Sequence, residues 1–367
     1  MQRGHGKRIR GLLGLLLLGL AAGATATETL TFVTWGGVYT RSQMLAYVRP
    51  FERATGIDVD VLDGYNGGLA EIRSQVRALN VKWDVVDLEA ADVLRGCREG
   101  LLHPIDPDAL APSPQGRAAS EDFIDGGLTE CGVGTVAWAT VVAYDEQAVA
   151  APRHLEDFFD TRRFPGARGL RRTPKANLEW ALLADGVAPE RVYPLLETDA
   201  GLRRAFSVLN RIKPQIVWWR SGEQAVRLLE TDRVVMTSAY NGRVYDAVES
   251  RGQPFGILWD RQVWNINFLA IPKGTERRNT ALRFIRFATG TAPLAEQSRH
   301  IPYGPVRRSS LERVPESVRP HLPTAQANRE RAFRLDHRWW AEHYERIERR
   351  FEQWLQRPVR VPRELPH

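Results

Sequence analysis

The chain has 367 residues, 43% apolar and 26% charged, which is length and apolar content enough for two domains of ordinary size, each with its own core. The formal charge of +7 falls to +3 once the first 26 residues are set aside, because they hold four of the 51 basic residues and none of the 44 acids, so that 47 bases stand against 44 acids. Bases and acids are interspersed along the whole length, with no basic stripe interleaved with aromatics, and a nucleic-acid partner is therefore excluded.

Taken in chain order, the first element reads as a leader. Arg3, Lys7, Arg8 and Arg10 precede the apolar run Leu12 to Leu20, and Ala24-Thr25-Ala26 has the small-x-small form of a cleavage site. Residues 1–26 are thus expected to be a signal peptide, with a mature chain starting at Thr27 and exported to the periplasm. The apolar run is too short for a bilayer span, which needs about 20 residues, and no later stretch approaches that length. No cysteine follows the cleavage site to take a lipid anchor.

Beyond the leader, strand and helix patterns alternate. Leu30 to Val33 reads as a strand running into Trp35-Gly36-Gly37. Thr40 to Thr55 carries Met44, Leu45, Val48 and Phe51 on one helical face and is stopped by Gly56. Ile57 to Val61 alternates at period two. Gly67-Gly68 opens a helix through Leu79, Trp83 to Val86 reads as a buried strand, and Ala91 to Arg98 as a helix closed by Gly100. This order predicts a mainly parallel sheet with helices on both faces, whose ligands collect at the carboxyl ends of its strands: Trp35-Gly36-Gly37, Asp63-Gly64-Tyr65-Asn66 and Asp87-Leu88-Glu89.

Cys97 and Cys131 are the only cysteines, and an even pair in an exported chain predicts a disulfide. It closes a loop of about 35 residues, worth ~3–4 kcal/mol in the chain-entropy account. The long β stretch Gly132 to Tyr144 then carries the chain into a second lobe. There Leu178 to Leu183 is helical, Ser221-Gly222-Glu223-Gln224 has capping-box form ahead of Ala225 to Leu229, and Val234 to Met236 is a buried strand. Val263 to Ile271 reads as a crossing back, Pro272-Lys273-Gly274 as a turn, and Asn279 to Thr289 as a helix. Arg329 to Leu355 is a long amphipathic helix with Phe333, Trp340, Tyr344, Ile347 and Phe351 on its apolar side. The expected division is 27–138 for the first part of lobe 1, 139–262 for lobe 2, and 263–367 for the return to lobe 1 together with a C-terminal helix.

No sequence signature of catalysis is present: no Gly-x-Ser-x-Gly elbow, no phosphate loop, no His-Glu-x-x-His. The histidines are scattered, so no metal and no cofactor is expected. Aromatics at predicted strand ends are more informative: Trp35, Tyr39, Tyr65, Trp218, Trp219, Tyr240, Trp264 and Tyr303. Glycine or asparagine beside Trp35, Tyr240 and Trp264 lets a ligand approach the backbone while a ring stacks on it, and Gly37 belongs to the same turn.

The motifs Trp35-Gly36-Gly37-x-Tyr39, Trp83-Asp84-Val85-Val86, Ser238-Ala239-Tyr240-Asn241-Gly242, Leu269-Ala270-Ile271-Pro272-Lys273-Gly274 and Ile301-Pro302-Tyr303-Gly304-Pro305, in that order, resemble the periplasmic substrate-binding proteins of ABC importers, spermidine/putrescine-binding type. The resemblance covers roughly residues 30 to 310. It implies the two-lobed α/β periplasmic-binding-protein fold of type II, each lobe a mainly parallel sheet flanked by helices and joined by two crossing segments. It also implies a monomer that captures a small polar solute, first of all a polyamine, by hinge closure and delivers it to an inner-membrane ABC permease. Residue by residue, Trp35, Tyr39, Glu89, Tyr240, Asn241 and Tyr303 match ligand-facing positions of that type.

Two positions depart from it. Asn267 stands where a carboxylate is expected, and Thr173-Pro174-Lys175-Ala176-Asn177 replaces an acidic helix start, which leaves a multiply charged amine short of partners. The alternative is an amino acid or carboxylate ligand met by Ser221 at a helix start and by Arg172, Lys175 or Arg243. A third reading, of a different class, is a secreted hydrolase or transferase on a bilobed frame.

Overall fold

The computed structural model describes residues 28–358 and the first two residues of the chain. Apart from those two residues, the expected leader, its cleavage site and Thr27 lie outside the described residues. Among the described residues no helix is long and apolar enough to cross a membrane.

Three strands open the chain: β1 (Thr29–Val33), β2 (Asp58–Leu62) and β3 (Val85–Glu89), with β1 pairing parallel to both of the others. After β4 (Leu128–Thr129) comes the long β5 (Gly132–Asp145), buried along all fourteen residues. Next are β6 (Arg168–Arg171), β7 (Ile216–Trp219) and β8 (Met236–Tyr240), with β6 parallel to both neighbours. The sixteen-residue β9 (Phe255–Ala270) follows, then the short β10 (Gly304–Pro305) and β11 (Phe333–Arg334). The sheet order is β2-β1-β3-β9-β5-β8-β6-β7. Two parallel trios therefore flank an antiparallel central pair, β5 and β9, and both members of that pair run from one half of the molecule to the other. Strand β8 begins two residues later than the sequence pattern places it, since Val234 and Val235 lie ahead of the ladder.

Each half has its own core. Phe32, Tyr47, Phe51, Phe268 and Phe284 lie at the centre of the first, and Phe158, Trp180, Leu209, Trp340 and Phe351 at the centre of the second. The helical stretch after β1 starts at Gly37, earlier than the expected Thr40, and runs through a π-helical turn at Met44–Val48 to Thr55. Gly56 then ends it at φ 72°. Cys97 and Cys131 are bonded, with Cα atoms 5.6 Å apart, and tie the helix Ala90–Arg98 to the entry of β5.

The C-terminal helix spans His337–Gln356 rather than starting near Arg329. Asp336 caps it by accepting from the Trp339 N–H, while Phe333 and Arg334 are taken up by the sheet beside Val263 and Trp264. Its rings Trp340, Phe351 and Trp354 are buried in the second core, whereas the helices Arg278–Ala288 and Thr291–His300, with Phe284 and Leu294, belong to the first. The chain thus passes between the halves a third time, between residues 306 and 333, in addition to the two expected crossings.

A candidate ligand-binding cleft

The carboxyl ends of β1, β3, β6 and β8 converge where the central pair passes between the halves, and they enclose a cavity of about 40 Å³. Six aromatic rings line it: Trp35, Tyr39, Tyr65, Trp138, Tyr240 and Tyr303. The polar lining is Asn66, Glu89, Arg171, Arg220, Ser221, Arg243 and Asn267, with Gly222 beside them.

On the first half, the wall is held from behind by Asp87, which is wholly buried. It accepts from Trp35 Nε1 at 3.0 Å, Tyr39 Oη at 2.8 Å, Gln43 Nε2 at 2.7 Å and Asn267 Nδ2 at 2.8 Å. Burial pushes its carboxyl up to about 7, against the downward pull of the four donors. Trp138 Nε1 donates to Asn267 Oδ1 at 2.6 Å, which fixes the amide. Three cavity-lining side chains thus take their orientation from one carboxylate that is not itself part of the lining.

Glu89, last residue of β3, is 3% exposed and already paired across the cleft. Arg171 Nη1 donates to one of its oxygens at 2.9 Å and Lys175 Nζ to the other at 2.9 Å. Burial by itself raises the Glu89 pKa, but Lys175 and Arg171 overcome it and hold the carboxyl down to about 2. Both cations are stabilised in turn, their pKa values lying above the ordinary range despite burial. The Arg171 guanidinium lies 6.0 Å from the Trp35 ring centroid and 5.8 Å from that of Tyr240.

Arg243 behaves differently. It is 5% exposed and its Nη2 donates to the Gly36 carbonyl across the cleft at 3.1 Å. Its Nε and Nη1 are buried with no hydrogen-bond partner among the described residues, Glu223 Oε1 standing off at 3.9 Å. Two glycines make room for this guanidinium: a Cβ on Gly222 falls 2.4 Å from Arg243 Nε, and one on Gly37 falls 2.8 Å from Nη1. Next to it, Ser221 and Gln224 form the expected capping box at the start of the helix Gly222–Glu230, whose amino end adds positive potential.

Of the residues singled out from sequence, Trp35, Tyr39, Glu89, Ser221, Tyr240, Asn267 and Tyr303 are brought together at the cavity. Gly37, Asn241 and Trp264 do not line it. Gly37 packs beneath the Arg243–Glu223 approach. Asn241 is used internally, accepting from the Ala139 N–H at 3.0 Å and donating to the Pro302 carbonyl at 2.8 Å. Trp264 alternates with Asn265 and Asn267 along β9 and so faces away, lining a separate groove with Arg334 over its ring. Trp218 packs instead on Phe351 and Trp354 of the C-terminal helix. Sequence reasoning missed Arg171 and Trp138. Arg171 sits at a strand end, the position already used to pick Trp35 and Tyr240, whereas its neighbour Arg172 points to Glu352.

The sequence pattern of the bacterial extracellular solute-binding proteins matches residues 46–324. A gamma-aminobutyric acid-binding protein of Pseudomonas aeruginosa is 41% identical over 347 residues, 94% of this chain and 96% of that one. Among solved structures, the binding protein AgtB of A. tumefaciens R10 in complex with agropinic acid superposes with a TM-score of 0.81 at 27% identity, covering 90% of this chain and all of that one. A GABA receptor superposes with a TM-score of 0.78 at 29% identity, covering 91% of this chain and all of that one. A match over most of the chain, a shared two-lobed fold and a cleft between the halves lead to one conclusion: this chain belongs to the bacterial extracellular solute-binding proteins.

Proposed function

We propose that the chain is the periplasmic receptor of an ABC importer for a short ω-amino carboxylate of the γ-aminobutyrate (GABA) type, acting as a monomer and without catalysis. The observation that carries this reading is Arg243, a buried guanidinium at the cavity with two nitrogens in want of an acceptor beside a helix amino end. A ligand carboxylate supplies an acceptor to one of them and a counter-charge to the guanidinium as a whole. The aromatic faces of Trp35, Tyr65 and Tyr240 then receive the ammonium by cation–π attraction. The ligand touches both halves only when they are closed, so its binding energy selects the closed form for docking to the permease.

The polyamine expectation loses support on the same geometry. Glu89, the carboxylate at the cavity wall, is already neutralised by two cations, and three arginines line the cavity, so a dication meets net positive charge. The GABA-binding relative at 41% identity supports the same choice.

Calorimetric titration of residues 27–367 with GABA and with putrescine tests it, because the two differ in having a carboxylate or a second ammonium at one end. GABA is expected to bind more tightly by about a hundredfold, ~3 kcal/mol. Equal affinities, or a preference for putrescine, overturn the proposal.

A further inference from the structure

Lys175 is placed with unusual care for a residue outside the main cavity. It is 8% exposed, with Nζ 2.9 Å from Glu89 Oε2, 4.0 Å from Asp92 Oδ2 and 5.1 Å from the Tyr344 ring centroid of the C-terminal helix. The loop that delivers it is pinned: Asn177 Nδ2 donates to the carbonyls of Arg171 and Thr173, at 2.7 Å each. The next residue, Ala176, is held at φ 65°, a region that a residue bearing a Cβ rarely adopts. Such strain persists where surrounding structure over-determines it, and it gathers at functional positions.

The placement has an electrostatic consequence. Glu89 offers the cavity wall a carboxylate, and a carboxylate there is what a second ligand ammonium requires. Arg171 engages one of its oxygens and Lys175 the other. Asp92 has a cation of its own in Arg95, at 3.0 Å, and Arg243 adds a further cation at the cavity.

We propose that Lys175 determines specificity through Glu89: by occupying the second carboxylate oxygen from across the cleft, it denies a diamine the acceptor for its other ammonium and so makes the site select an ω-amino carboxylate. This deepens the proposed function and rests on it for the identity of the favoured ligand. Discrimination by a repulsive element set against the wrong ligand is a general device. Lys175 is thus a positioning residue, and no contact with the favoured ligand is required of it.

The test compares wild-type protein, Lys175→Met and Lys175→Arg in calorimetric titrations with GABA and putrescine, with thermal melting as a folding control. Lys175→Met leaves Glu89 paired with Arg171, so no isolated charge is created. It is expected to tighten putrescine binding at least ~10-fold while GABA binding holds or weakens, a change that one removed charge near the site can supply. Lys175→Arg keeps the wild-type ratio of dissociation constants. Adding Glu89→Gln to Lys175→Met abolishes the putrescine gain. If Lys175→Met weakens both ligands in parallel, leaving the ratio within about threefold, Lys175 only helps closure and the proposal is overturned. The wild-type GABA titration tests the ligand reading separately: if it fails while Lys175→Met gains putrescine, the filter stands without that ligand, and if neither is seen both fall.

Discussion

Replacing Arg243 by Met removes the guanidinium and keeps most of its length and apolar stem. A hydrogen bond between a charged pair contributes about 1.5–3 kcal/mol, so a ligand carboxylate that loses its bond to this guanidinium forfeits up to ~3 kcal/mol. In the ligand-free protein the variant no longer buries two nitrogens without partners, a gain in folding stability of about 1–3 kcal/mol for each. It also gives up the 3.1 Å bond to the Gly36 carbonyl that links the halves. The expectation is a GABA affinity lower by up to ~3 kcal/mol, or about a hundredfold. The melting temperature of the ligand-free protein should be unchanged or raised. Putrescine should bind the variant no more weakly than it binds the wild type, since one positive charge has left the cavity. Calorimetry with both ligands and melting without ligand read all three quantities. A GABA dissociation constant within about threefold of wild type refutes the reasoning, because a carboxylate seated on Arg243 cannot survive its loss unchanged.

Other perturbations separate the parts of the structure. Cys97→Ser combined with Cys131→Ser should lower unfolding stability by ~3–4 kcal/mol while leaving the ligand dissociation constant nearly unaltered, since the bridge sits at the end of the helix Ala90–Arg98 opposite to Glu89; chemical denaturation and calorimetry check the two effects. Asp87→Asn puts one acceptor oxygen before four donors, so at least two lose their partner at about 1–3 kcal/mol each. Both denaturation midpoint and ligand affinity should fall, the latter because Trp35 and Tyr39 lose their anchor. Glu89 makes a pH prediction. Its carboxyl is held at about 2 in the closed form against an ordinary value of 4.5, so pairing favours the ionised state. That stabilisation is complete above the ordinary value and is lost as pH falls through about 2. The Glu89 contribution to ligand affinity should be lost only below about pH 4.5, so the pH profile of Glu89→Gln should run parallel to that of the wild type from about pH 7 to pH 5 and diverge below; divergence already at pH 6 overturns the assignment, whereas a change common to both proteins in that range belongs to Asp87, whose carboxyl stands at about 7.

Much of this architecture was legible because it is written in local pattern. The glycines after β1, the period-two stretch of β2 and the capping box at Ser221 each encode their own element, and the even cysteine pair encoded the staple. The long central strands were readable from apolar runs. The beginning of β9 was not, because Asp260, Arg261 and Gln262 interrupt its apolar pattern. The C-terminal helix was placed too early because Phe333 satisfies a helical face equally well, and only its pairing beside β9 assigns it to the sheet. The cleft's electrostatics were the least legible. Glu89 and Lys175 are 86 residues apart and belong to different halves, so nothing in either neighbourhood announces the pair. The choice between Arg171 and Arg172 turns on which face of β6 meets the cavity, a matter of tertiary register.

The two halves contribute to recognition in different ways. The first half supplies most of a wall of rings and amides, and Asp87, which fixes it, spends its charge on donors of its own half and of the returning β9. Such a wall stacks equally well on the methylenes of an amine or of an amino acid. The second half supplies the signs: Arg171 and Lys175 cancel Glu89, while Arg243 and the amino end of the helix Gly222–Glu230 remain for an anion. Because those charges meet the first half only on closure, ligand sign is read at the step that forms the closed state. A wrong ligand therefore fails by leaving charges unpaired across the cleft, and the open form persists. It follows that exchanging charged residues at the ends of β6 and β8 should alter selectivity with little effect on the fold of the first half, whereas changes at Asp87 should damage binding of every ligand alike.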